Sequence, residues 1–494
     1  MNSINLADVF VGLAGRWTDR RAVVSPKLTL SYGQLVARAA QSARELRLLG
    51  IVEGARVGIG LRDSAETIVL MIAIWMLGGT AVPIDFRSNA AERSLLASEF
   101  DMIAILEDRQ MPAAGYNSIL IDTSWADVIA RHDRRPPWTH EKQVKTALIL
   151  LTSGTTGRPL GIVLDHERAL LRFIFNFSQR FGTAVLNPLP LSFSASCNHS
   201  FNALLQGSTV FFHPVLFSAQ EFRDAILASM VTSVCAVPTI IRNLLEIFRK
   251  GSGRPMFEGL DALYCFGAPM LPGEKLQARE VLCSNLVEEY GSTISGRISS
   301  LRGYDLEARP DTVGRVLPPV ALQIVDANDE SLPFGEAGIV RVRSPGMART
   351  IYGDAARDSG DKLKGGWAYP GDIGAIDEAG FLRLIGRSSD LIIRGGVNVD
   401  PTEVEAVLAE LEGVREVAVV GFAKSREGEE IAAFVVAAAN LTKAALLAQC
   451  RSRLSPDKRP RKFVFMEELP RNANGKISKE QLRQHIEAAP DPGK

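Results

Sequence analysis

Residues 151–161, LTSGTTGRPLG, hold nothing but hydroxyl residues and glycines from Thr152 to Gly157. Glycines let a backbone fold back so that successive N–H groups converge on one anion. Thr152, Ser153, Thr155 and Thr156 add hydroxyl donors around Gly154 and Gly157. Such a loop can grip a polyphosphate while its phosphorus is attacked; a plain Ser/Thr/Gly turn is the alternative. No Gly-Lys-Ser/Thr follows at the spacing of a Walker A loop. Two further residues have types suited to nucleotide chemistry. Asp372 follows the turn Tyr369-Pro370-Gly371, where a carboxylate could accept from both ribose hydroxyls or simply cap the turn. Lys476 rides on Asn474-Gly475, a strong turn signal. It is either an exposed tip or a mobile cation for charge developing at phosphorus.

Apolar helical segments alternate with short β-branched runs and position these residues. The runs are 57–59, 103–106, 147–151, 209–212, 233–237 and 263–266, with helices expected at 35–49, 222–230 and 240–250. Such alternation predicts stacked α/β layers. From about Thr312 the texture changes to strands and turns, at 321–326, 338–343, 373–377 and 381–385, which predicts an antiparallel or barrel-like subdomain. After Gly386 a smaller α+β unit is expected, with helices at 402–410 and 443–454 and strands at 417–421, 431–437 and 462–465. The expected division is a large domain over 1–387 and a small mobile one over 388–494, joined by a tight hinge near Arg387–Asp390 rather than a long linker.

Several short motifs resemble, in order over nearly the whole chain, those of the acyl-adenylate-forming enzymes. That family includes the acyl- and aryl-CoA synthetases, the adenylation domains of peptide synthetases and the firefly-type luciferases. The phosphate loop resembles their signature. Gly267-Ala268-Pro269 resembles the wall of the adenine site, and Glu289-Tyr290-Gly291-Ser292-Thr293 the adenine-and-phosphate motif. Thr312-Val313-Gly314-Arg315 resembles the turn opening the strand-rich part, and Tyr369-Pro370-Gly371-Asp372 the ribose motif. Residues 386–396 resemble the hinge motif, and Asn472-Ala473-Asn474-Gly475-Lys476 the C-terminal lysine motif. The resemblance implies ATP, Mg²⁺ and CoA as cofactors and a small carboxylic acid as substrate. It implies catalytic roles for Lys476 and Thr293, and contacts from Asp372 and Arg387 to ribose or α-phosphate. Asp390 would be the pivot of a domain rotation. That rotation would withdraw Lys476 and bring in an arm whose Gly395 and Gly396 allow close approach of the pantetheine thiol. Phe193, His199, Thr239 and Arg297 would line the acid pocket with Glu289 and Gly291. A core Phe193 and a solvent-facing Arg297 are the plainer alternatives.

Two positions depart from that pattern. Leu160 stands where the loop usually has Lys, and Ile294 where the adenine motif usually has a Mg²⁺-binding Glu. The metal ligands are therefore left open. His199 and Arg297 together suggest an acid with a second polar group: hydroxy, aryl-hydroxy or dicarboxylic.

Composition excludes other classes. The 494 residues carry 56 basic and 56 acidic side chains, so no basic nucleic-acid footprint is expected. Five scattered cysteines without metal spacing suit a reducing, cytoplasmic setting. No basic stretch of a signal peptide opens the chain. The uncharged stretch 67–84 imitates a membrane span. However, Gly78 and Gly79 split it and Pro83 closes it, so a buried helix and a buried strand are expected instead. The resulting expectation is an acid–thiol ligase using CoA. A free-standing enzyme loading a carrier protein, and a weakly catalytic or non-catalytic nucleotide-binding relative, are the alternatives.

Overall fold

The computed structural model describes residues 4–111, 115–137, 146–153, 159–174, 183–214, 218–248, 254–353, 362–388, 390, 392–394, 397–423, 429–438, 441–471 and 477–488. The chain divides into two compact units, Met1–Ala321 with Val342–Pro370, and Leu322–Arg341 with Gly371–Lys494.

The first unit holds two large sheets built alike. Among the described residues one has nine strands and the other seven. In the nine-stranded sheet, Leu286–Ser292, Ala262–Phe266, Ser233–Ala236, Ala184–Asn187, Thr209–Phe212 and Arg21–Val24 run parallel. In the other, Thr146–Ser153, Thr80–Pro83, Arg56–Gly60, Met102–Glu107 and Ser118–Leu120 do so. Parallel strands with helical crossovers are buried on both faces, as the continuous apolar run in Ala262–Phe266, all five residues buried, illustrates. Each parallel array ends in an antiparallel hairpin: Leu286–Ser292 with Gly296–Arg302 in one sheet, Thr146–Ser153 with Pro159–Asp165 in the other. Both nucleotide-like motifs sit on these hairpins, beyond the carboxyl end of a strand, where open α/β sheets place ligands.

The uncharged stretch 67–84 is the wholly buried helix Ser64–Met76 and the buried strand Thr80–Pro83. Asp63 caps the helix through Ala65 N–H, and the Trp75 indole donates to Ala147 O at 2.8 Å. Among the described residues no helix is long and apolar enough to cross a membrane. The strand-rich stretch is less self-contained than expected. Arg315–Val316 extends the nine-stranded sheet and Thr350–Tyr352 the seven-stranded one, because each finds an open antiparallel edge there.

In the second unit Asp372–Ile376 pairs antiparallel with Leu382–Arg387. Farther along the chain, Val414–Ala423 pairs with Glu429–Ala437, which pairs in parallel with Lys462–Phe465. Side chains alternate across this sheet. Val419, Ile431, Ala433 and Val435 pack on Val404, Leu408 and Leu446. Val420, Ala432, Phe434 and Val436 face Leu482 and Ile486.

One buried group ties stability to pH. His166 is 2% exposed and its Nδ1 accepts from Leu6 N–H at 3.1 Å. Burial pushes its pKa down to about 4, against about 6.5 in an unfolded chain. Below pH 6.5 the unfolded chain therefore takes up a proton that the folded one refuses until about pH 4. Stability is expected to fall across that window, by about 3 kcal/mol from this residue. Urea melts from pH 7 to pH 4 should show a shallower decline for His166→Asn. Equal slopes would contradict the assignment.

Candidate active site

The Leu286–Ser292 strand carries two adjacent carboxylates, which alternation sends to opposite faces. Glu288 meets Lys275 Nζ at 2.6 Å, both side chains buried, and the same ammonium donates to Thr312 O at 2.9 Å. Burial holds the Glu288 pKa above the ordinary carboxylate value, with the Lys275 charge opposing it. This pair and the bond from Ser299 Oγ to Val313 O, 2.7 Å, fix the Thr312–Arg315 turn.

Glu289 faces the other way and joins three elements. It lies 2.8 Å from His199 Nε2 and accepts from Arg297 Nη1. His199 is buried in the helix Ser194–Leu205, and its ring stacks on Phe266 at 4.7 Å between centroids. Phe193, the N-cap residue of that helix, lies 6.0 Å from Phe266. A side chain at Gly267 would bring a Cβ within 2.9 Å of Phe193 Cζ, so this left-handed position (φ +97°) admits the aromatic ring only as glycine. Burial lowers the Arg297 pKa from the arginine value, with the Glu289 carboxylate opposing.

The hairpin shifts register between Tyr290 and Gly291, a bulge of the kind that re-aims residues beside functional sites. Gly291 then lies opposite Arg297, where a Cβ would stand 2.5 Å from Gly296 O. Tyr290 is half-buried and Gly291 exposed. Ala268 is half-buried, Pro269 is exposed, and Thr239 is half-buried in the first turn of the helix Pro238–Ile247.

Beyond the bulge, Thr293 and Ile294 are held from behind by a residue that the sequence did not single out. Arg172 lies in the helix His166–Ile174. Its Nη1 donates to Thr293 O at 2.7 Å, its Nη2 to Ile294 O at 3.0 Å and its Nε to Gly346 O at 2.9 Å. Burial lowers its pKa to about 10. The approach depends on Gly346, whose Cβ would fall 2.8 Å from Arg172 Cα.

The phosphate loop is described only at its margins. Thr152 pairs with Leu160, and Ser153 with Pro159. Gly154, Thr155, Thr156 and Gly157 lie outside the described residues, as do Gly395, Gly396 and Lys476. Leu160 is 3% exposed and Ile294 6% exposed, so both departures from the family pattern are packed apolar residues. Among the described residues no group of three or more His, Cys, Asp or Glu side chains could hold a metal ion. The residues at the Ile294 turn do not fit a metal held by protein carboxylates.

In the second unit Asp372 is buried, and Arg387 lies opposite it in the hairpin, Nε to Oδ1 3.3 Å. Asp390 N–H donates to Arg387 O at 3.0 Å, and its carboxylate meets Arg483 at 2.9 Å. Arg394, at the start of the expected thiol arm, donates to the carbonyls of Pro456, Asp457 and Arg459.

Comparison with known proteins places this geometry. The AMP-binding enzyme family matches residues 12–352, and the AMP-binding enzyme C-terminal domain matches residues 403–476. The long-chain-fatty-acid–CoA ligase FadD13 of Mycobacterium tuberculosis is 30% identical, over 95% of this chain and 97% of its own. The crystal structure of ATP-bound MatB from Rhodopseudomonas palustris superposes with a TM-score of 0.87 at 26% identity, covering 98% of this chain and 99% of that one. The O-succinylbenzoate coenzyme A synthetase MenE from Bacillus subtilis, in complex with ATP and magnesium ion, gives 0.84 at 26% identity, covering 97% and 99%.

Proposed function

The chain belongs to the AMP-binding enzyme family, and from that premise we propose that it joins a carboxylic acid to coenzyme A through an acyl-adenylate made from ATP. One observation carries the reading. A single chain matches both the nucleotide-binding part and the C-terminal domain of the family, and aligns over 95% of its length with a CoA ligase.

In the first half-reaction a carboxylate oxygen attacks the α-phosphorus of ATP and pyrophosphate leaves. In the second the CoA thiol attacks the acyl carbon and AMP leaves. Residues 152–157 receive the triphosphate on hydroxyls and backbone N–H groups. Gly267, Ala268, Pro269, Tyr290 and Gly291 receive the adenine. Thr293, steadied by Arg172, donates to the phosphate. Asp372 accepts from the ribose hydroxyls, and Arg387, opposite it in the hairpin, contacts the same ribose or the α-phosphate. Lys476 stabilises the charge of the adenylation transition state. Phe193, His199, Thr239 and Arg297 receive the acid, with Glu289 positioning the two basic groups. Asp390 is the pivot of the part beginning at Ser388, and Gly395 and Gly396 admit the pantetheine. Magnesium, when bound with ATP, would supply charge neutralisation on the phosphates; this chain offers it no carboxylate at Ile294.

Pyrophosphate and AMP release over a panel of acids, with and without CoA, tests the proposal. Acid-dependent pyrophosphate release, with thioester appearing only when CoA is added, is expected. ATP turnover indifferent to every acid would overturn it.

Arg172 gives a second test. Arg172→Met leaves the carbonyls of Thr293, Ile294 and Gly346 without this donor, with Ile294 O keeping the Ala348 N–H, at about 1–3 kcal/mol for each buried group left unpaired. The variant should melt lower and show a KM for ATP raised more than the KM for the acid. A purely structural role would lower stability and move neither KM.

A further inference from the structure

Resting on the reading of Phe193, His199 and Arg297 as acid-pocket residues, we infer that the acid carries a neutral hydrogen-bond acceptor, such as a phenolic hydroxyl or a ring carbonyl, on a planar ring. A plain alkyl chain and a second free carboxylate are both disfavoured.

The first observation is the guanidinium of Arg297. Its side chain is 9% exposed, and one terminal nitrogen donates to Glu289. Its Nε and Nη2 are shielded from solvent and have no hydrogen-bond partner among the described residues. Buried donors left unmade are costly, and charged donors more so than neutral ones. An alkyl chain would leave these two Arg297 donors unused.

The second observation is the charge balance. Glu289 accepts from Arg297 and lies 2.8 Å from His199 Nε2, so the Arg297 cation already has its counter-ion. A second carboxylate from the substrate would bring an excess negative charge into a buried site, with Glu289 beside it. A hydroxyl or carbonyl oxygen takes the Nε and Nη2 hydrogens without adding charge.

The third observation is shape. The His199 ring lies flat on Phe266, tilted by 15°, and Tyr264 and Phe193 stand at 5.4 Å and 6.0 Å from members of that stack. The rings around His199 and Glu289 are thus aromatic rather than aliphatic, and aromatic side chains meet a planar ring in offset or edge-on contacts.

The test uses two panels that share the same acyl groups: benzoyl rings bearing hydrogen, hydroxyl, acetyl or carboxylate at each ring position, and octanoyl. One panel is the free acids, read by pyrophosphate release. The other is the corresponding acyl-sulfamoyl adenosines, read by calorimetric binding without turnover. The hydroxyl or acetyl ring should exceed the unsubstituted ring, the dicarboxylate and octanoate by about tenfold to a hundredfold, the scale of hydrogen bonds to a charged donor. Arg297→Met should erase that advantage. Glu289→Gln should uncover the cation and raise the dicarboxylate in the ranking. A wild-type preference for octanoate, the bare ring or the dicarboxylate overturns the inference alone, as does an advantage that survives Arg297→Met. Should that variant not fold, the wild-type ranking and Arg297→Lys decide. No turnover and no binding across both panels overturns the parent reading and the inference with it.

Discussion

Replacing Lys476 by Ala is expected to lower adenylate formation by two to three orders of magnitude, about 3–4 kcal/mol for one lost transition-state contact, and to spare thioester formation from supplied acyl-adenylate. Attack on the α-phosphorus spreads negative charge over its oxygens, and a positioned ammonium stabilises that charge more than the ground state. The described residues on either side of residues 472–476 are held in place. Arg471 and Ile477 form an antiparallel bridge, Arg471 pairs with Glu416, and Ile477 packs on the core beside Leu469 and Leu482. Substitution of Lys476 therefore removes none of these contacts. ATP–pyrophosphate exchange and acyl-AMP-to-CoA transfer, measured separately, check the assignment. Equal losses in both half-reactions would contradict it.

The second large effect is expected at the proposed pivot. Proline at position 390 fixes φ and removes an N–H, here the one donated to Arg387 O, and also deletes the ion pair with Arg483. Asp390→Pro should retain adenylation and lose transfer to CoA, so that acyl-AMP accumulates on addition of CoA. Asp390→Ala removes only the ion pair, and a partly exposed pair contributes little to stability, so it should keep most of the overall rate. An unchanged overall rate in the proline variant would show that the chain does not turn at this residue.

Much of the framework was readable because its signals are local. From Thr67 on, the helix Ser64–Met76 lies in an uncharged stretch ended by two glycines, and its burial on all sides follows from the lack of a polar face there. Helix starts were read late where the cap was overlooked. Ser31 with Gln34 and Ser218 with Glu221 form capping boxes ahead of the apolar residues, and Pro238 occupies the first turn of its helix. The strand Thr350–Tyr352 gave no comparable signal, since its partner Pro159–Asp165 is remote in sequence.

The site follows the same division. Asp372 and Arg387 were both expected at the ribose, and the hairpin sets them opposite each other. Glu289, His199 and Arg297 were each expected as pocket residues, but their joining to one another was not expected. It depends on the register shift after Tyr290 and on the seating of the helix Ser194–Leu205 against the sheet. The cation expected at Arg297 is paired with Glu289, which is why the proposed substrate has a neutral acceptor. Arg172 had no legible role, because its three acceptors come from two distant turns and its approach needs Gly346. The same holds for Leu160: restoring a lysine there would bury an ammonium in a position that is 3% exposed.

The central claim is that the acid oxygen attacks the α-phosphorus of ATP. Turnover of a preferred acid labelled with ¹⁸O in its carboxylate, in the presence of ATP and CoA, tests it most directly. Mass spectrometry should find one labelled oxygen in the AMP and none in the pyrophosphate. Label recovered in inorganic phosphate, with ADP as the nucleotide product, would mean an acyl-phosphate route and would contradict the account.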